Sequence, residues 1–215
     1  MKATTGLFIA GSAFYVMTRK KRRIRKLLTF IRKKGDKNMQ ALLVIDVQNG
    51  IVNYGDFQEE LTLMEYVIQD FKRNGRPVIF IRHLDDEKES PLYKGAAGSE
   101  LHDSVKEYAD YVIEKQTPSS FFNTNLSNVL EELGVKQLFI TGFNTEFCCM
   151  FTAIAAFDRG FKVTFIENAT GTVNTEETYE MKGLDIRDFV GTVLHWSNAI
   201  EVLDYEEYLE EYVVG

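Results

Sequence analysis

The sequence has little of several residue types that mark particular classes of protein. It contains two cysteines, three histidines and three prolines among 215 residues. The cysteines, Cys148 and Cys149, are adjacent, and because neighbouring residues make a strained disulfide, no structural disulfide is expected. No CxxC pair and no His/Cys cluster with zinc-binding spacing is present. Since there is no Pro-rich linker either, we expect one domain with reduced thiols, as in a cytoplasmic protein.

Acidic and basic residues are unevenly distributed along the chain. Residues 1–38 carry twelve Lys/Arg against one acidic residue, a net charge of +11, while the remainder carries 13 basic and 31 acidic residues, a net charge of −18. An acidic body repels phosphate groups. We therefore expect no nucleic acid among the partners of this protein.

A long apolar run is also missing. The run from Gly6 to Met17 is shorter than the roughly 20 residues that a membrane-spanning helix needs. Most of the positive charge follows it, at 19–26, whereas a secretory signal places the charge first. Residues 1–38 therefore form a basic leader with three interpretations: a weak membrane anchor, a disordered tail, or upstream sequence before a true start at Met39. We favour the third, and expect membrane association only if the leader is real.

Apolar runs alternate with helical patterns along the rest of the chain. Buried strands are predicted at 41–45, 77–81, 111–113, 137–141 and 162–166, with a last strand at 191–194 or 200–203. Helices are predicted at 61–72, 125–133 and 146–158, and an acidic helix ends the chain. This alternation predicts an α/β fold with a mainly parallel sheet covered on both faces.

Polar residues follow several of the predicted strands. Asp46 ends the first strand, Lys115 follows the third, and Cys148 comes shortly after the fourth. If the strand order is 3-2-1-4-5-6, the first and fourth strands are neighbours at the switch point, where chemistry gathers. Backbone N–H groups in the first turn of a helix favour a thiolate at Cys148 and can hold an oxyanion.

Each of these residues also has a structural interpretation. Cys148 and Cys149 could be buried, inert thiols, Asp46 could cap a loop or helix, and Lys115 could be solvated. Together, however, the three supply a nucleophile, a proton acceptor and a cation, which are the groups that a thiol needs to attack an amide.

Three motifs resemble those of the isochorismatase-like cysteine hydrolases. The segment 142–153 resembles the nucleophile motif G-x-x-T-x-x-C-V-x-x-T-A, which places the nucleophile on Cys148 and leaves Cys149 where valine is usual. The segment 43–49 resembles the opening strand with its aspartate, Asp46. The segment 115–126 resembles K-x-x-x-S-A-F-x-x-T-x-L, with Ser120 in place of alanine, and 98–102 resembles the loop before it.

The resemblance implies a Rossmann-like three-layer α/β/α sandwich over 39–215, and a set of residue roles. Cys148 would attack the carbonyl of a small amide, Asp46 would carry the proton, and Lys115 would favour the thiolate and the intermediate. A cis peptide would precede Asn144, and the backbone amides of Asn144 and Cys148 would form the oxyanion hole. Family members often form dimers or larger assemblies, so we expect a homo-oligomer, for which an exposed Trp196 would suit the interface.

The choice among family members rests on single residues. Because Cys148 is present, hydrolysis of a C–N bond is favoured over isochorismatase-type ether hydrolysis. Nicotinamidases of the family hold a metal through an Asp-x-His and a second His, and the segment 53–58 has no histidine, so we predict no metal and no cofactor. A redox or binding module on the same fold remains an alternative, because the cysteines are adjacent. Four residues are candidates for the pocket, although aromatic residues there could equally be core: Tyr54, His83, Phe122 and Phe147.

Overall fold

Strands and helices alternate throughout the described part of the chain, residues 39–213 of the computed structural model. The strands are β1 (Met39–Ile45), β2 (Val78–His83), β3 (Tyr111–Lys115), β4 (Val135–Phe143), β5 (Lys162–Gly171) and β6 (Glu201–Leu203). The α-helices are α1 (Asn49–Val52), α2 (Gln58–Arg73), α3 (Leu126–Leu133), α4 (Met150–Asp158), α5 (Ile186–Trp196) and α6 (Tyr205–Tyr212). A π-helix covers Thr145–Cys149, and short 3-10 helices cover Ala97–Ser99 and Lys106–Tyr108. The predictions for the leader, residues 1–38, lie outside the described residues.

The six strands form one parallel sheet in the order β3-β2-β1-β4-β5-β6. This order confirms the predicted α/β fold. It makes β1 and β4 neighbours at the point where the strand order reverses, and so brings their carboxyl ends together.

Two apolar cores lie on the two faces of the sheet. Along β1, Leu42 and Val44 pack into the core that α2 and α6 cover. Leu43 and Ile45 pack into the other core, which α3, α4 and α5 cover. Successive side chains of a strand point to opposite faces, so a strand buried on both faces needs an unbroken apolar run. The protein is therefore a three-layer α/β/α sandwich, as the resemblance implies.

Some elements differ from the predicted ones. The last strand is at Glu201–Leu203, and 191–194 lies inside α5, where Val190 and Leu194 face the core one helical turn apart. The helix predicted at 146–158 is divided into a π-helix and α4. β3 is two residues longer than predicted, so Lys115 is its last residue rather than the first after it.

A close backbone approach fixes the register between β1 and β4. Gly142 pairs with Ile45 and has φ of 120°, a conformation that side chains rarely adopt. A Cβ at Gly142 would lie 2.0 Å from the Ile45 carbonyl oxygen. Only glycine therefore lets β4 pass the end of β1, and the residues that follow both strands are brought together.

Among residues 39–213, no helix has both the length and the apolar character required to cross a membrane.

Candidate active site

Asp46 lies in the turn that directly follows β1. The residue is 1% exposed and has φ of 52°, in the left-handed region that costs a non-glycine residue energy. Its N–H donates to the Ile81 carbonyl oxygen at 3.0 Å, which ties the turn to β2. Its Oδ2 accepts a hydrogen bond of 2.6 Å from Lys115 Nζ. A buried carboxylate is therefore held beside a buried ammonium group at the carboxyl edge of the sheet.

Lys115 ends β3 and reaches across the end of β2 to the first strand. Its side chain has no exposed surface. Its Nζ donates to Asp46 Oδ2 at 2.6 Å, to His83 Nδ1 at 3.0 Å and to Cys148 Sγ at 3.2 Å. Burial alone would lower the pKa of Lys115, but the Asp46 carboxylate and the Cys148 sulfur together raise that pKa above its usual value. The amine is therefore an ammonium ion with three acceptors for its three hydrogens.

Cys148 lies in the π-helix, and its sulfur is a thiol at rest. Burial and the neighbouring Asp46 carboxylate raise the pKa of Cys148 to about 12, although Lys115 acts in the opposite direction. The expectation that the helix start favours a thiolate is therefore wrong, because a buried carboxylate and desolvation outweigh the cation and the backbone dipoles. The sulfur must give up its proton before or during any attack on a carbonyl.

A proton acceptor lies next to this thiol. Asp46 Oδ1 is buried and has no hydrogen-bond partner within residues 39–213, while Oδ2 is occupied by Lys115. Ligand atoms of Asp46, His83 and Cys148 lie within 4.8 Å of one another. The site thus combines a thiol, a cation and a carboxylate oxygen that is available to take a proton.

The same three side chains carry donor atoms that a metal ion could use. Lys115 Nζ is hydrogen-bonded to all three, to Asp46, His83 and Cys148, so an ammonium group already takes the place that a metal cation would occupy between them. A second cation among these donors would meet strong repulsion. The donor set therefore does not fit a metal ion while Lys115 is charged.

Comparison with known proteins fits this geometry. The isochorismatase domain family model matches residues 40–197. The chain belongs to the isochorismatase family.

Relatives and solved structures of this family cover most of the chain. A protein of Arabidopsis thaliana named "Probable inactive nicotinamidase" is 32% identical over 74% of this chain and 95% of its own length. Nicotinamidase 3 of the same plant is 34% identical over 63% of this chain and 75% of its own length. The crystal structure of a cysteine hydrolase from Pseudomonas syringae has a TM-score of 0.69 at 18% identity, covering 80% of this chain and 91% of that one. The family membership supports a hydrolase, and at 18% identity the structural likeness shows the fold alone.

The loop at the nucleophile of this isochorismatase-family protein has the expected backbone. The Phe143–Asn144 peptide bond is cis, as the resemblance implies. The Asn144 carbonyl oxygen accepts the N–H groups of Phe147 at 3.2 Å and Cys149 at 3.1 Å, which closes the turn around Cys148. The assignment of the Asn144 and Cys148 amides to the oxyanion hole stays a prediction.

The residues predicted for the pocket have different environments. His83 is partly buried and contacts Lys115, whereas the side chains of Tyr54, Phe122 and Phe147 are 69%, 56% and 40% exposed. Phe122 and Lys115 line one cavity of about 290 Å³. A larger groove of about 870 Å³ runs along the β3 edge and includes none of Asp46, Lys115 and Cys148. The smaller cavity is therefore the better place for substrate.

Several residues that support the site were not singled out from the sequence. Gln48 holds the His83 backbone on both sides, donating to its carbonyl and accepting its N–H, each at 2.8 Å. Ser120, where alanine is usual, bonds Thr152 of α4 through its N–H at 3.0 Å and its hydroxyl at 2.9 Å. Their places inside the matched motifs were the available signal.

Glu146 lies two residues before Cys148 and is 8% exposed. Its Oε1 accepts hydrogen bonds from the Thr172 hydroxyl at 2.9 Å, the Asn174 amide at 2.7 Å and the Tyr179 hydroxyl at 3.1 Å. Its position is variable in the motif, so nothing in the pattern marked it. Glu146 ties the loop after β5 to the π-helix that carries the nucleophile.

Proposed function

We propose that the protein is a cysteine-dependent hydrolase that cleaves the C–N bond of a small amide. The observation that carries this proposal is the contact of one buried ammonium group, Lys115 Nζ, with both Asp46 Oδ2 and Cys148 Sγ. The proposal assigns the nucleophile to Cys148, the proton transfers to Asp46 and the electrostatic role to Lys115. Two relatives named as nicotinamidases, one of them "Probable inactive", make an amide a reasonable substrate class.

In the first half of the reaction, Cys148 Sγ forms a bond to the carbonyl carbon of the amide. The thiol proton passes to Asp46 Oδ1, which is buried and without another partner in the described part of the chain. The carbonyl π electrons move to the oxygen, where the Asn144 and Cys148 backbone amides are assigned to hold the negative charge. Asp46 then gives its proton to the leaving nitrogen as the C–N bond breaks, and a thioester remains on Cys148.

In the second half, water attacks the thioester carbonyl and gives a proton to Asp46. The C–S bond breaks, the acid product leaves, and the sulfur recovers a proton from Asp46. The high pKa of Cys148, about 12, makes this order sensible, because a thiol at rest requires a base for attack and a poor thiolate leaving group requires help on departure. Lys115 supplies that help, since its N–H points at the sulfur whenever the sulfur is negative.

The observations do not favour the alternative of a redox module. Cys149 has no exposed surface and packs into the apolar core beneath α4, and burial raises the pKa of its thiol well above the usual value. A buried neutral thiol is a poor partner in disulfide exchange. The two adjacent cysteines therefore have different environments, and only Cys148 faces the polar cluster.

The proposal is tested by a panel of small amides, including nicotinamide, with release of ammonia or amine as the readout. We expect the wild-type protein to hydrolyse at least one of them and Cys148→Ala to reduce turnover to the background rate. Cys149→Val is the matched control, since it changes the neighbouring thiol to the residue usual at that position, and we expect it to remain active. Turnover retained by Cys148→Ala, or no turnover of any amide by the wild-type protein, would contradict the proposal.

A further inference from the structure

The cluster at Lys115 continues beyond the three proposed catalytic residues. The third hydrogen of the Lys115 ammonium group goes to His83 Nδ1, at 3.0 Å. The other ring nitrogen, His83 Nε2, lies 2.9 Å from Asp85 Oδ1. The second oxygen of that carboxylate accepts the Ser90 hydroxyl at 2.5 Å. A continuous line of hydrogen bonds therefore runs from Ser90 to the ammonium group.

The partners of His83 determine which of its nitrogens carries the hydrogen. An ammonium group has hydrogens only to give, so Nδ1 must be unprotonated to accept one. The single ring hydrogen is then on Nε2, where it points at the Asp85 carboxylate. Burial alone would raise the pKa of Asp85, but hydrogen bonds from Ser90 and His83 lower it below its ordinary value, so the acceptor stays ionised. Asp85 thus fixes the tautomer that Lys115 requires.

The backbone of His83 is also held. Gln48 donates to its carbonyl oxygen and accepts its N–H, and the same Gln48 amide donates to the Ser99 carbonyl at 2.8 Å. The Gln48 side chain has no exposed surface, which protects these bonds from water. The ring therefore has a fixed origin as well as a fixed tautomer.

We propose that His83 and Asp85 are positioning residues, which lock the Lys115 ammonium group with one hydrogen directed at Cys148 Sγ. This inference rests on the proposed function and deepens it. The charge on sulfur appears and disappears during the reaction, so the attraction that holds Lys115 towards it is intermittent. Asp46 and His83 supply two further acceptors that keep Nζ in place. Without His83 Nδ1, one N–H of a buried cation loses its partner, and the ammonium group is free to turn away from the sulfur.

Two substitutions at the same position separate the acceptor from the rest of the ring. His83→Asn keeps an oxygen near the place of Nδ1, whereas His83→Gln places its amide near Nε2 and leaves Lys115 without that acceptor. We expect His83→Gln to lower kcat roughly 10-fold to 100-fold, the range for one hydrogen bond to a charged group, with little change in KM. We expect His83→Asn to retain at least about fivefold more of kcat than His83→Gln, and thermal unfolding to show that both variants fold.

Alkylation of Cys148 by iodoacetamide tests the inference without any amide substrate. The measurement uses a Cys149→Val background, so that only one thiol reacts, and follows the rate from pH 7 to 10. Because a fixed ammonium group stabilises the thiolate, we expect His83→Gln to react several-fold more slowly than His83→Asn at each pH. Asp85→Ala, which frees the tautomer and disturbs the fold less, should slow the reaction by a smaller factor. Asp86→Asn is the control, since Asp86 bonds Gln116 instead, and it should react at the parental rate.

The possible outcomes distinguish the two proposals. If the wild-type protein hydrolyses no amide but alkylation follows the expected order, the proposed function fails and the positioning role stands. If amides are hydrolysed but His83→Gln and His83→Asn are equally active and equally reactive, the positioning role is overturned and the proposed function stands. A loss confined to KM would also overturn it, since this would indicate that His83 contacts substrate.

Discussion

Buried polar groups occur at both edges of the parallel sheet, and the two edges treat them differently. At the amino edge, Gln137, Thr164, Glu201 and Tyr212 form a network that we call the amino-edge network, with Lys162 at its rim. The Gln137 amide donates to Thr164 and to Tyr212, each at 2.9 Å, and Glu201 accepts from Thr164 at 2.6 Å and from Tyr212 at 2.5 Å. Its buried side-chain polar atoms all have hydrogen-bond partners.

The carboxyl edge leaves polar atoms without partners. Four buried side-chain atoms have no hydrogen-bond partner within residues 39–213: Asp46 Oδ1, Arg82 Nε, Thr141 Oγ1 and Glu146 Oε2. All four lie at or just past the carboxyl ends of β1, β2 and β4. An unsatisfied buried group costs about 1–3 kcal/mol, so such atoms are rare unless they serve a purpose. The comparison indicates that the amino edge stabilises the fold, while the carboxyl edge keeps an acceptor available for a reacting proton.

The strongest test of this comparison is Asp46→Asn, which should separate thiol reactivity from hydrolysis. Without the carboxylate no base takes the thiol proton, and we expect amide hydrolysis to fall by about 10²-fold to 10⁴-fold, the usual contribution of a general base. The same change removes a negative charge that raises the pKa of Cys148, so that pKa should fall and alkylation at pH 8 should become several-fold faster. Both rates are measured on one preparation of protein.

Asp56→Asn is a suitable control for that experiment, because Asp56 is an exposed acidic residue of the loop before α2. It should change neither rate. Slower alkylation in Asp46→Asn would mean that the carboxylate activates the resting thiol rather than suppressing its ionisation, and the assignment of the two edges would then need another basis.

The pairing of Asp46 with Cys148 could be predicted from the sequence, whereas the contact of Lys115 could not be derived from the strand pattern alone. Asp46 and Cys148 follow neighbouring strands, so the strand order is enough to bring them together. Lys115 ends β3, two strand spacings or roughly 10 Å from β1, and only the resemblance in its motif indicated that it reaches the site. A long side chain can cross the end of a strand in many directions, and its direction depends on packing that no periodicity records.

The protonation state of Cys148 and the contacts of His83 required coordinates. A helix start favours a thiolate only where nearby charges and burial do not oppose it, and the distance to Asp46 was invisible in the sequence. His83 was a candidate pocket residue because it follows a strand. Which of its nitrogens faces Lys115 depends on Asp85 and Ser90, whose loop carries no recognisable pattern.

At the amino edge, Tyr212→Phe should reduce stability and leave catalysis unchanged. Its hydroxyl bonds Gln137 and Lys162, each at 2.9 Å, as well as Glu201. Losing that hydroxyl leaves buried donors and acceptors short of a partner, and we expect the free energy of unfolding in urea to fall by about 1–2 kcal/mol. Hydrolysis of the best amide should stay within about twofold. Tyr66→Phe, at a side chain 46% exposed, is the matched control and should leave both quantities unchanged.

The smallest expected effect, and the one that depends on pH, is at Glu201. Burial alone would raise the pKa of Glu201, but hydrogen bonds from Thr164 and Tyr212 and the charge of Lys162 lower it below its usual value of 4.5. A carboxyl group whose pKa is lower in the folded state stabilises the protein above its unfolded pKa, and this stability is lost as the pH falls through the folded pKa. The difference in Tm between wild type and Glu201→Gln should therefore be greatest near pH 6–7 and shrink as the pH falls from 5 to 3. Because the side chain is 32% exposed, we expect a difference of no more than about 1 kcal/mol at neutral pH. Glu210→Gln, on the exposed face of α6, should show no such pH dependence, and a constant difference for Glu201→Gln would mean that its charge does not stabilise the amino-edge network.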